Sequence, residues 1–99
     1  MASGWVGILT CELHFPEAHG LKEKRHYLRS AKAHLQNRVG ASVAEVDHHD
    51  VWQRTRLTVA CVAREHYEAE RLLDEAERWL RGQEWEVALA ERLLVDPED

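Results

Sequence analysis

The apolar residues of this chain recur with period two, then 3.6, then two, and the cycle repeats, an order that leaves few folds open. From Ser3 to Phe15 the side chains alternate, with Trp5, Gly7, Leu9, Cys11, Leu13 and Phe15 on one face and Val6, Ile8, Thr10, Glu12 and His14 on the other. That pattern predicts a strand. Pro16 cannot donate to a ladder and ends it. From Leu21 to about Val39, the spacing of Leu21, Leu28, Ala31 and Leu35 predicts a helix, with Lys22, Lys24, Arg25, Arg29 and Lys32 elsewhere on its surface. Gly20 is the expected N-cap, and Gly40 stands where a left-handed residue closes a helix.

Ala41 to Asp47 reads as a second strand, His48 to Val51 as a reversal, and Trp52 to Arg64 as a third strand facing Leu57, Val59, Cys61 and Ala63 inward. Glu65 to Arg81 makes one apolar stripe of Ala69, Leu72, Leu73, Ala76, Trp79 and Leu80, the second helix. Glu84 to Val95 alternates again, Trp85, Val87 and Leu89 against Glu86, Ala88 and Ala90. Strand, helix, strand, strand, helix, strand predicts an α+β fold of the ferredoxin-like βαββαβ plan. Its four-stranded antiparallel sheet has the order 4-1-3-2, with two helices on one face.

Ninety-nine residues with 44% hydrophobic content suit a single domain over 1–99. Cys11 and Cys61 each stand in an apolar run, without CxxC spacing, and are expected as reduced core residues. No signal peptide is expected ahead of the first strand, and no apolar run reaches the roughly 20 residues of a membrane span. The protein is expected to be soluble and cytoplasmic, with no membrane partner. Its net charge of −5 conceals an asymmetry: residues 1 to 64 carry nine basic and six acidic side chains, and residues 65 to 99 carry four and twelve. The bulk charge argues against indiscriminate nucleic-acid binding, while a local basic patch stays possible.

The topology gathers two sequence-distant polar stretches at the top edge of the sheet. There the end of the first strand (Glu12, His14) and the start of the first helix (His19, Lys22, Lys24, Arg25) meet the end of the second strand (Glu45, Asp47). His48 of the reversal, Trp52 and Arg54 complete the group. Alternation places Glu12, His14, Glu45, Asp47, Arg54 and Arg56 on the face the helices leave open. Below them on that face it places Val6, Ile8, Ala60, Val62, Ala88 and Ala90, an apolar patch that suits a two-fold homodimer.

Three chemistries are open to the top edge. Metal binding by Asp47, His48, His49, Asp50 or Glu45 meets the objection that adjacent strand residues point to opposite faces, so no metal site and no cofactor are expected. Acid–base work by Glu12, His14 and Glu45 lacks a nucleophile, an oxyanion loop or a phosphate cradle, so an enzyme is not expected. Contact with a phosphate backbone would draw on Lys22, Lys24, Arg25 and Arg54, beside Trp52.

At Phe15-Pro-Glu-Ala-His-Gly-Leu-Lys-Glu-Lys-Arg25 and Val43-Ala-Glu-Val-Asp-His-His-Asp-Val-Trp-Gln-Arg54 the chain resembles the YlxP family of short bacterial proteins. The resemblance implies a ferredoxin-like domain of unassigned biochemical activity. Such proteins are often encoded beside translation initiation and ribosome-maturation factors, which implies a connection to RNA or the ribosome. Carried over position by position, the motifs fall on His19, Leu21, Lys22, Lys24, Arg25, Glu45, Asp47, His48, Trp52 and Arg54. The family usually has Ser where this chain has Gly20, and often Gln where it has His49.

The reading that follows is a small non-enzymatic binding protein, RNA- or ribosome-associated, with Lys22, Lys24, Arg25, Trp52 and Arg54 meeting the partner. Glu12, His14, His19, Glu45, Asp47 and His48 are its supporting polar cluster. The alternative is a homodimeric ligand-sensing or protein-interaction module working through the open apolar sheet face.

Overall fold

The computed structural model describes residues 2–98. Strands β1 (Trp5–His14), β2 (Ser42–Asp47), β3 (Arg54–Ala63) and β4 (Glu86–Val95) form one antiparallel sheet in the order β2-β3-β1-β4, the predicted order read from the other edge. Helices α1 (Leu21–His34) and α2 (His66–Arg81) complete the ferredoxin-like α+β plan. The predicted first helix does run to Val39, but Leu35–Val39 winds as a wider π-helical turn. Gly40 ends it at φ 72°, a left-handed conformation that glycine adopts without the Cβ penalty, and the Ala41 amide donates back to the Leu35 carbonyl.

The core lies between sheet and helices. Leu9, Cys11, Leu13 and Phe15 face it from β1 and its end, Leu57, Val59 and Cys61 from β3, and Leu73, Ala76 and Leu80 from α2. Both cysteines are free and buried, and burial pushes the Cys11 thiol up to about 12. Gly7 lets α2 approach: a Cβ there would lie 3.2 Å from Leu73 and from the Cys61 sulfur. An aromatic cluster closes the top of the core, with Phe15 stacked on Tyr27 at 5.3 Å and edge-on to Trp85 at 5.8 Å.

Two β-bulges decide which residues reach the open face. Between β2 and β3, Glu45 pairs with Leu57 but Asp47 pairs with Arg56, so Val46 is the extra residue. Glu45 therefore shares the inner face with Leu57, correcting its expected place on the open face. Between β1 and β4, Glu12 pairs with Leu89 and Leu13 with Val87, which makes Ala88 the extra residue. Ala90 consequently lies opposite the buried Cys11 and packs against the core, correcting the expected patch, while Leu89 and Leu93 come out. A bulge adds one residue to one strand, and one residue inverts every later side chain.

The registers lay the open face out in rows. At the bottom Val62, Val6 and Val95 lie side by side; above them come Ser42, Ala60, Ile8 and Leu93. Ala44, Thr58, Thr10 and Glu91 follow, then Asp47, Arg56, Glu12 and Leu89, then Arg54, His14 and Glu86 at the top. The face is thus apolar below and charged above.

Candidate functional site

The reversal between β2 and β3 is held from both sides of the sheet. Its first residue, His48, has φ 65°, a left-handed conformation that costs a non-glycine residue about 1 kcal/mol or more. The Val51 amide donates to the His48 carbonyl at 3.1 Å, and the His48 amide to Asp47 Oδ1 at 2.7 Å. That amide bond, ahead of the nearby His48 ring, holds the Asp47 carboxyl below its ordinary value.

On the inner side Lys24 reaches up from the first turns of α1. Its Nζ donates to the carbonyls of His48 at 2.5 Å and Val51 at 2.6 Å, and lies 2.9 Å from Glu45 Oε2. Thr55, buried on β3, donates its hydroxyl to the same carboxylate oxygen at 2.5 Å. Burial pushes the Glu45 carboxyl up, but the hydrogen bonds from Thr55 and Lys24 and the lysine charge outweigh it and leave it lowered. Lys24 is 1% exposed, so it fastens the reversal instead of reaching a partner at the surface, as the sequence had suggested.

On the outer side Glu12 is the hub. Arg56 Nε donates to Glu12 Oε1 at 2.9 Å, the His48 ring lies 3.4 Å from that oxygen, and Arg54 lies 3.6 Å from Oε2. Arg54 also comes within 3.1 Å of His48 Nε2. Burial raises the Glu12 carboxyl, yet Arg56 and His48 hold it lowered on balance. His14 stands apart beside Glu86 at 3.3 Å, and His19 is exposed and belongs to neither cluster. Among the described residues no three His, Cys, Asp or Glu side chains are grouped as metal ligands.

Lys22, Arg25 and Trp52 reach solvent at the top edge, Trp52 with 44% of its surface exposed. Trp52 leans over the start of α1, where a Cβ on Gly20 would touch its ring at 3.9 Å, an ordinary contact. Lys22, Arg25, Arg29 and Lys32 recur at three- and four-residue spacing along α1, a stripe about 15 Å long. Among the described residues the arginine and lysine ion pairs run through Lys24, Arg54, Arg56, Arg64, Arg81 and Arg92, and none through that stripe. Beside it Tyr27, His26, Lys22, Glu23 and Arg29 line a shallow depression of about 280 Å³.

Two groups escaped the sequence reading. Thr55 had a usable signal, since it shares the inward phase of Leu57 and Val59. Arg92, which donates to Asp74 Oδ1 at 2.7 Å and Glu77 Oε1 at 3.1 Å and so clamps β4 to α2, was hidden by the bulge at Ala88.

Comparison with known proteins places this arrangement in a family. The uncharacterized protein YlxP of Bacillus subtilis (strain 168) is 31% identical over 90 residues, covering 81% of this chain and 98% of that relative. Among solved structures, the de novo designed protein Ferredog-Diesel has a TM-score of 0.44 at 14% identity, over 96% of this chain and 88% of its own. The intact alpha subunit of aIF2 from Pyrococcus abyssi has a TM-score of 0.46 at 19% identity, over 95% of this chain and 35% of its own. No helix of the described residues is long and apolar enough to cross a membrane. With a family model matching residues 6–92 and YlxP matching over most of both lengths, the chain belongs to the family described as protein of unknown function DUF503.

Proposed function

We propose that this protein is a non-enzymatic, cytoplasmic binding protein that engages RNA or a ribosomal component through the basic stripe of α1, with Trp52 packing on the partner at one end. The observation that carries the reading is the stripe itself: Lys22, Arg25, Arg29 and Lys32 share one side of a helix whose only acidic residue is Glu23, and among the described residues no ion pair occupies them. Cations without an ion-pair partner among the described residues are available to phosphate even in a chain of net charge −5, and releasing counterions from a phosphate backbone is the general source of such affinity. Lys24 has a different part here. It positions the reversal that presents Trp52, and Arg54, held by Glu12 and His48, supports the same loop.

Co-sedimentation with ribosomes and separated subunits across a salt series tests the reading. Retention is expected to weaken as salt rises, and the triple change Lys22→Gln, Arg25→Gln, Arg29→Gln is expected to flatten the slope of log affinity against log salt by about two to three. Absence from every ribosomal fraction at low salt, or retention indifferent to the triple change, would overturn it.

A further inference from the structure

We infer that a second copy of this chain covers the open sheet face, about a two-fold axis running parallel to the strands between β1 and β3. The lower half of the face presents apolar side chains to solvent on the side the helices leave bare, with Val62 71% and Leu93 59% exposed. Its two bottom rows hold no charged residue. Apolar surface of this kind in contiguous rows is what an association surface needs, since burial there gains without desolvating charge.

The choice of a second copy rests on how the rows read from edge to edge. In one row Leu93 and Ile8 are large and Ala60 and Ser42 are small. A two-fold axis between β1 and β3 reverses that order on the facing sheet, setting Ile8 against the partner's Ala60 and Leu93 against the partner's Ser42. Large meets small at each position. The same axis sets Val6 against the partner's Val62 in the row below. Higher up it brings Glu12 against the partner's Arg56, and Arg56 against the partner's Glu12. Size in the two lower rows and charge at the central Glu12 and Arg56 are therefore self-complementary about one line, which is the requirement of an isologous interface. At the edges of the upper rows Leu89 meets the partner's Asp47 and Glu91 the partner's Ala44. Facing sheets pack with their strands within about 30° of each other, so the match is closest near the axis and loosens toward the edges. The basic stripe of α1 lies in the helical layer, away from this face, and stays available in the dimer.

Sedimentation of the full chain across concentrations from about 1 μM to about 1 mM tests the association. A reversible monomer–dimer equilibrium is expected. Val62→Asp and, as a milder second variant, Leu93→Gln should each weaken it, the aspartate by about 100-fold or more because it would be buried unpaired. Both sites are exposed in the monomer, and unchanged circular dichroism checks that the variants fold. The axis is tested by mixing a Val6→Cys protein with a Val62→Cys protein under oxidising conditions. A mixed disulfide dimer in excess over either self-crosslinked species supports it. A monomer at every concentration, or a dimer indifferent to both face variants, would refute the covering of this face. Self-crosslinking of Val62→Cys in preference to the mixed species would overturn the axis.

Discussion

Two ion clusters grip the same reversal from opposite sides of the sheet, and they differ in what water does to them. Lys24, Glu45 and Thr55 on the helix side are nearly closed to solvent, whereas Arg54 and Arg56 around Glu12 on the open side are about half exposed. A buried pair is costly to break because the survivor keeps its desolvation penalty, while an exposed pair is screened and replaced by water. The inner cluster therefore sets whether the loop has one shape, and the outer cluster adjusts it. The left-handed His48 lies where the two meet, its carbonyl held by Lys24 and its ring by Glu12 and Arg54.

Lys24→Met is expected to have the largest effect, a loss of about 3–5 kcal/mol in urea unfolding, because Glu45 and the loop carbonyls would remain buried without a partner. Adding Glu45→Leu should restore a substantial part of that loss, and a double-mutant cycle reads the coupling. If both single changes cost under about 1 kcal/mol, the contrast between the clusters fails.

Next in size is Thr55→Val, which removes one donor to Glu45 and keeps the shape. A loss of about 1–2 kcal/mol is expected, measured by the same unfolding curves.

Acid sharpens the contrast further. The Glu45 carboxyl is lowered from an ordinary value of 4.5. A carboxylate lowered in the folded state contributes stability that is present above the unfolded value and is lost as pH falls through the folded one. Stability should thus hold down to about pH 5 and decline below that. In Lys24→Met the decline should be shallower, since only the Thr55 hydroxyl of the two hydrogen-bond donors that lower the carboxyl is left to oppose its burial.

Arg56→Ala is expected to cost only tenths of a kcal/mol to about 1 kcal/mol, and less in high salt, as its guanidinium is substantially exposed. Smallest of all, Gly20→Ser should raise stability by a few tenths of a kcal/mol in thermal unfolding. It would supply a side-chain cap to α1, whose N-terminus has none, in a space that Trp52 leaves open.

The six elements and their order were legible because each carries a clear period. The inner cluster was less so. Lys24 precedes Leu28, Ala31 and Leu35 at the spacing of the buried stripe, a signal that it faces inward, but its charge argued for the surface. Glu45 and Ala90 were misplaced for another reason. Val46 stands between Glu45 and Asp47, where two acids spaced two apart read as one face, and Ala88 within the apolar Val87-Ala88-Leu89-Ala90, so that in both segments an extra residue leaves no trace in the pattern. Strand pairing alone fixes those positions. The outer cluster, built from Glu12, Arg54 and Arg56 at regular alternation, was readable throughout.

The bulge at Ala88 works on β4 as a frameshift works on a message. Upstream of it Val87 faces the core in the phase set by Trp85; downstream, that phase would bury Leu89, Glu91 and Leu93 and turn Ala90, Arg92 and Leu94 outward. The extra residue resets the frame, so that one edge strand gives Arg92 to the clamp on α2 and Leu93 to the opposite surface. A lineage that loses or gains one residue here exchanges its interior for its exterior over half a strand. Insertions and deletions at this position should therefore be rarer among relatives than substitutions.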